Sequence, residues 1–190
     1  QGVGADLVAA RQTEPVAISI PLGRVGTLDG LAWQVVGFQH RMGWEPGDSD
    51  EQFGWEEYLL YNARRGFAFL VDSTEGWSLM RPVTGSPQLD GQGNSAQYRD
   101  THYTLLYSYN ARTSYVEGEF YWPVQQGQTT FNQDFADGKQ LLCAEKTPRE
   151  VVWSVGKRLE ASTVAGAFDL TDRLAELSRT DAGPLSALSS

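Results

Sequence analysis

The sequence has few of the residues that build reactive or metal-binding centres. Its 190 residues include one cysteine and two histidines. A single thiol, Cys143, excludes an internal disulfide and a zinc site made of thiolates. His40 and His102 each lack a second histidine, cysteine or carboxylate at ligand spacing, so we interpret both as structural residues. These scarcities predict no catalytic residue, no metal and no cofactor.

Long apolar runs and an excess of positive charge are also missing. No run reaches the roughly 18 apolar residues needed to cross a bilayer, which predicts no direct membrane insertion by this segment. The formal net charge is -9, and an acidic field repels phosphate backbones, which argues against nucleic acid as a partner. Cys143 lies in a strand-like apolar run, where we interpret it as a buried thiol rather than a nucleophile.

What the sequence does contain is the alternation typical of β-strands. Aromatic residues make up 12% of the chain and glycines number 20, a composition that favours strands and tight turns. Residues 113–124 show the clearest period of two, which predicts a half-buried strand. Its core-facing residues are Val116, Phe120, Trp122 and Val124. The residues that face the other way are Tyr115, Glu117, Glu119 and Tyr121.

The order of these patterns predicts a mainly β protein. We expect two small antiparallel sheets or open, barrel-like lobes that form one unit, followed by a short C-terminal helix. A single β-rich domain would span residues 15–168, with lobes of about 15–82 and 101–168 joined by a loop at 83–100. An N-terminal extension (1–14), a helix (169–179) and a linker-like tail (180–190) complete the chain. Residues 43–54 also read as a loop.

Two glutamates are the strongest candidates for chemistry. Glu117 and Glu119 share a predicted strand face, which would place their Cα atoms about 6.5 to 7 Å apart. Paired carboxylates at such separations serve acid–base catalysis or bind hard cations. The competing and favoured interpretation is a solvated face. The candidate ligand-binding residues are therefore Glu117, Glu119, Tyr115 and Tyr121.

Several motifs resemble one known family. They are WEEYLLYN at 55–62, GFAFLV at 66–71, YVEGEFYW at 115–122 and EVVWSVG at 150–156. In spacing and order the chain is similar to the domain of unknown function 4178 family, a bacterial family, over roughly residues 20–168. That family has no established activity, so the resemblance implies no catalytic residues. It does imply a part of a larger bacterial protein, often with a zinc ribbon before the domain and membrane segments after it.

These observations give two functional hypotheses. The first is a non-catalytic β-rich interaction or accessory domain with a protein partner, in a bacterial, membrane-linked assembly. The resemblance implies a cytoplasmic location, with tethering to the inner membrane in the full-length protein. The alternative is a small-molecule-binding or hydrolytic domain that uses the acidic and aromatic face around Glu117 and Glu119. The sequence leaves the oligomeric state open. It begins with Gln1 rather than an initiator Met, which is compatible with a segment of a longer protein.

Overall fold

A computed structural model describes residues 17–121, 124 and 127–178. The predicted extension at 1–14, the tail at 180–190 and Trp122 lie outside the described residues. The described chain forms eleven strands. They are β1 (Val25–Leu28), β2 (Leu31–Glu45), β3 (Asp48–Asn62), β4 (Gly66–Ser73), β5 (Gly76–Pro82), β6 (Gln88–Leu89), β7 (Ser95–Tyr98), β8 (Thr101–Gly118), β9 (Thr130–Asp137), β10 (Gln140–Lys146) and β11 (Val151–Leu159).

Eight of these strands close into an antiparallel barrel. Strands β2 to β5 form one meander and β8 to β11 form a second. The meanders join along both edges, because β5 pairs with β11 and β2 pairs with β8. Strand β1 extends the sheet beside β2, and β6 and β7 extend it beside β8. The mainly β prediction with a short C-terminal helix is confirmed, and the two strand groups share one closed sheet.

Two segments predicted as loops contain strands. Residues 43–54 continue β2 and β3 into a long hairpin that turns at Gly47, whose φ of 89° suits glycine. Residues 83–100 hold the short strands β6 and β7. Their turn is fixed by the Asp90 carboxylate, which accepts hydrogen bonds from the backbone N–H groups of Gln92 and Asn94. The loop predictions were wrong because cross-strand pairing stabilises these segments without an alternating apolar pattern.

The strand predicted to continue to residue 124 ends at Gly118 instead. Gly118 has a φ of 88° and lies opposite Gly37 of β2. The backbone approaches closely here, since a Cβ at Gly37 would lie 2.6 Å from the carbonyl oxygen of Glu119. The backbone N–H of Glu119 donates to the carbonyl of Val36 at 2.8 Å. The alternating pattern therefore stops before Glu119, and Glu117 and Glu119 do not share one regular strand.

A large apolar core lies on the outer surface of strands β2 to β5. A bulge between Val35 and Gly37 of β2 shifts the alternation, so that Trp33, Val35 and Phe38 all face this core. Ile20 and the C-terminal helical segment cover it. That segment comprises α1 (Ala161–Ala167), a 3-10 turn (Thr171–Arg173) and α2 (Leu174–Leu177).

The single helix predicted over 169–179 is therefore wrong in its bounds. Asp169 has a φ of 58°, a conformation that no α-helix contains, and it separates α1 from the following turn. Leu170 and Leu177 are buried in the outer core, whereas Leu174 is 38% exposed. The predicted leucine stripe thus splits, with two of its members docked on the barrel.

A second, smaller outer core lies under the β6–β7 hairpin. Its buried residues are Ala96, Tyr103, Phe135 and Leu142. Trp153 and Val155 of β11 pack against it. With apolar cores on two outer surfaces, the inward faces of the strands are free to be polar. They surround the space that we call the lumen.

Candidate functional site

The lumen contains a cavity of about 890 Å³. This volume lies within the range of small-molecule binding pockets. Its wall includes exposed residues of the β10–β11 turn, Pro148, Arg149 and Glu150, so the cavity opens to solvent at that end. Apolar and aromatic side chains make up part of the wall. They include Trp55, Phe69, Val71, Met80, Leu106, Tyr109, Val124 and Leu141.

Arg41 carries the principal positive charge inside the lumen. The bulge in β2 turns it inward, where it is 4% exposed. Its Nη1 lies 3.1 Å from both carboxylate oxygens of Glu145, and its Nη2 donates to Thr130 Oγ1 at 3.2 Å. Burial by itself would lower the Arg41 pKa, but the carboxylates of Glu145 and Glu57 raise it above its ordinary value. Arg41 is therefore charged, and its buried Nε has no hydrogen-bond partner within the described part of the chain.

The hydrogen bonds that the Glu57 carboxylate receives from described residues come from neutral donors. Gln39 Nε2 donates to one of its oxygens at 2.8 Å, and Trp55 Nε1 donates to the other at 2.8 Å. Burial raises the Glu57 pKa, and the charge of Arg41 opposes that shift only in part. Among the described residues, no cation forms an ion pair with Glu57 within 4.0 Å.

Asp134 of β9 is the second lumen carboxylate held by neutral groups. Tyr109 Oη donates to Asp134 Oδ2 at 2.9 Å. Burial raises the pKa of Asp134 to about 6. Cys143 of β10 lies beside it, and burial together with the Asp134 charge raises the Cys143 pKa well above its ordinary value. Cys143 is therefore a neutral thiol at physiological pH, which does not suit a nucleophile.

Glu75 forms a third acidic position, near the turn between β4 and β5. Tyr107 Oη donates to Glu75 Oε1 at 2.6 Å. Arg158 Nη2 lies 3.9 Å from Glu75 Oε2. Within the described residues, Glu75 thus has a cation within ion-pair distance, which Glu57 and Asp134 do not have.

The four residues predicted from the sequence lie apart from this network. Tyr115 packs beside the outer core, with its ring centroid 6.2 Å from that of Phe38, and its hydroxyl donates to Glu117 at 3.3 Å. Glu119 is exposed on the segment after β8. Tyr121 is 49% exposed, and of the four it alone lines the cavity. The structure therefore brings Tyr115 and Glu117 together but does not join either of them to the lumen.

Sequence reasoning missed Arg41, Glu57, Asp134 and Glu145. Each lies on a strand at a position where alternation is compatible with a solvated face. A usable signal existed for Glu57, since Glu56 and Glu57 are consecutive and successive strand residues point to opposite faces. One of the two must therefore point into the barrel if the sheet closes. The strand pattern predicted open lobes rather than a closed barrel, so the inward face could not be recognised.

The remaining candidates for chemistry lie outside the lumen. His40 contacts Glu56 at 2.9 Å and Met42 Sδ at 3.2 Å. The described residues hold no group of three or more His, Cys, Asp or Glu arranged to bind a metal. Within the described ranges, no helix has the length and apolar composition needed to cross a membrane.

Comparison with known proteins identifies the family. The family model described as Domain of unknown function (DUF4178) matches residues 21–161, a range that contains all eight barrel strands. No curated protein and no solved structure matches the chain significantly. The resemblance drawn from the sequence motifs is confirmed: this chain belongs to the DUF4178 family.

Proposed function

We propose that this domain binds a small organic molecule in the lumen of its barrel. The observation that carries the proposal is a cavity of about 890 Å³ whose wall combines aromatic surface with buried polar groups. A closed barrel with a packed interior would need no such groups, because they cost stability when buried. Buried polar groups that converge on an apolar cavity are typical of a binding site.

The arrangement supports binding better than turnover. Burial keeps the Cys143 thiol protonated, and its neighbour Asp134 accepts a hydrogen bond from Tyr109 rather than from a histidine. Nucleophilic catalysis requires an activated nucleophile beside a base. The hydrolytic alternative therefore has less support than simple binding.

A partner protein at the barrel opening is a second candidate, in keeping with the interaction role predicted from the sequence. Tyr121 and Val152 each line the cavity and are each 49% exposed. Exposed aromatic and apolar side chains are frequent anchors of protein interfaces. A partner at this position would cover the opening of the lumen.

Fluorescence titration with the uncharged dye N-phenylnaphthylamine tests the proposed lumen site. This dye brightens in apolar surroundings. We expect saturable binding to the wild-type chain and a loss of at least about ten-fold in affinity for Ser154→Trp, which places an indole ring in the lumen. The matched control is Ser49→Trp, because Ser49 is exposed on β3 and the same side chain there leaves the lumen open.

Two results would contradict this proposal. One is the absence of saturable binding to a wild-type chain that circular dichroism shows to be folded. The other is equal dye affinity in the wild type and in Ser154→Trp. If Ser154→Trp does not fold, Ser78→Trp places an indole ring in the lumen from β5 and serves in its place.

A further inference from the structure

The charged residues around the cavity have an excess of acid. Five carboxylates line it: Glu57, Glu75, Asp134, Glu145 and Glu150. Three cationic residues line it: Arg41, Arg149 and Arg158. The wall therefore carries a negative balance when all of these groups are ionised.

The excess is concentrated at two half-buried positions, Glu57 and Asp134. Arg41 is engaged by both oxygens of Glu145, and Arg158 lies beside Glu75. Glu57 and Asp134 have hydrogen bonds from neutral donors but no ion pair within the described part of the chain. Arg41 acts on Glu57 and Arg158 acts on Asp134 only from a distance. A half-buried carboxylate with no cation in direct contact is unfavourable, and a bound cation would relieve that cost.

The two carboxylates act on the same part of the lumen. Tyr109 donates to Asp134 and Trp55 donates to Glu57, and the two rings are in edge-to-face contact, so the two carboxylates flank one aromatic pair. Aromatic rings stand close to this place. Trp55 donates its indole N–H to Glu57, and its ring centroid is 5.8 Å from that of Tyr109. The Arg41 guanidinium already lies over the Trp55 ring, at 5.8 Å from its centroid, so a ligand would place an apolar body along these rings rather than its cation over them.

The Arg41 guanidinium provides an independent indication that the ligand has a hydrogen-bond acceptor. Arg41 lines the cavity, is 4% exposed and has a buried Nε with no hydrogen-bond partner in the described ranges. Buried donors in native proteins are nearly always satisfied. An oxygen acceptor on a bound molecule would satisfy this one.

We propose that the lumen selects a protonated organic amine with an aromatic body and an oxygen acceptor. Its ammonium group contacts Glu57 and Asp134, its ring lies along Trp55 and Tyr109, and its oxygen accepts from Arg41 Nε. This proposal rests on the proposed function, because it specifies the ligand class of the same lumen.

Three matched probes test which sign of charge on the ligand the lumen prefers. Naphthyloxyethylamine, naphthyloxyethanol and naphthyloxyacetate share an aromatic body and an ether oxygen, and they end in an ammonium, a hydroxyl and a carboxylate. Isothermal titration calorimetry of the full chain at neutral pH compares their dissociation constants. We expect the amine to bind at least about ten-fold more tightly than the alcohol, and the carboxylate to bind most weakly.

Variants assign the preference to the lumen carboxylates. Glu57→Gln removes the charge and keeps one oxygen acceptor, which can receive the hydrogen bond from either Gln39 or Trp55. It should weaken amine binding by about ten-fold while alcohol binding stays within about two-fold. Glu51→Gln removes a charge from an exposed position of the same strand and should change neither. Asp134→Asn provides the same test if Glu57→Gln does not fold.

The outcomes separate this inference from the proposed function. If the alcohol or the carboxylate binds as tightly as the amine, and Ser154→Trp abolishes that binding, the lumen is a binding site but the predicted ligand charge is wrong. If Glu57→Gln and Asp134→Asn both leave the amine preference unchanged, the carboxylates do not select the ligand. If Ser154→Trp leaves the binding of all three probes unchanged, the lumen itself is not the site.

Discussion

Individual polar residues in the lumen are oriented by hydrogen bonds to specific partners. Thr113 donates to Gln39 at 3.2 Å, and Gln39 in turn donates to Glu57. Arg41 is fixed by Glu145 and Thr130. Such a network orients each group, but every buried charge in it still has a cost in stability. Residues kept at that cost are typical of functional positions, where proteins depart from the most stable choice.

The stability cost of a charged group in the lumen can be measured at Asp134. Its pKa is about 6 in the folded chain, against an ordinary value of 3.8, so the folded state binds the proton more tightly than the unfolded state. Its contribution to stability is therefore fully present below about pH 4 and is lost as the pH rises through about 6. We expect Asp134→Asn to raise the free energy of unfolding by about 1–3 kcal/mol at pH values above 6 and to change it little below pH 4.

Urea denaturation at the two pH values checks this prediction. Asp137→Asn is the matched control, because Asp137 is exposed at the end of the same strand and should change stability by less than about 0.5 kcal/mol at either pH. An Asp134→Asn effect of equal size at both pH values would show that the carboxylate is not penalised by burial.

At the scale of elements, the barrel is stabilised mainly from outside. Strands β2 to β5 present large apolar side chains outward, and the C-terminal helical segment covers them. Trp77 Nε1 donates to the carbonyl of Leu177 at 2.8 Å, which ties β5 to α2. The β6–β7 hairpin covers the outer surface of the other meander. Because these outer cores supply apolar burial, the interior need not be filled by side chains.

Two leucines of α2 test this assignment. Leu177 is fully buried, whereas Leu174 is 38% exposed. We expect Leu177→Ala to lower the free energy of unfolding by about 2–4 kcal/mol, the usual cost of truncating a buried leucine, and Leu174→Ala to lower it by less than about 1 kcal/mol. Guanidinium denaturation of the two variants decides between them. Equal costs would mean that α2 does not dock on the barrel in solution.

For the whole molecule, the sequence predicted the strands but not their closure. The shared face of Leu31, Trp33 and Val35, for example, was readable from alternation, and all three contribute to the outer core. The pairing of β2 with β8 could not be predicted, because it joins residues that are far apart along the chain. His40, for example, pairs with Tyr115. Local periodicity contains no information on such contacts.

The same limit explains the missed site. In a sheet with one buried face, a charged residue in an alternating strand faces solvent. In a hollow barrel covered from outside, it faces the lumen instead. Glu57 and Asp134 therefore had the pattern of solvated residues, and only the closed structure shows that they line a cavity. Glu117 and Glu119 lie in the stretch with the clearest alternation in the chain, and such alternation indicates a strand rather than a binding site.

The most direct test of the account is a crystal structure of the domain with naphthyloxyethylamine. The account predicts the probe inside the lumen, with its ring along Trp55 and its ammonium within hydrogen-bond distance of Glu57 or Asp134. A lumen that contains only the protein's own side chains or water, with the probe absent or bound on the outer surface, would contradict it.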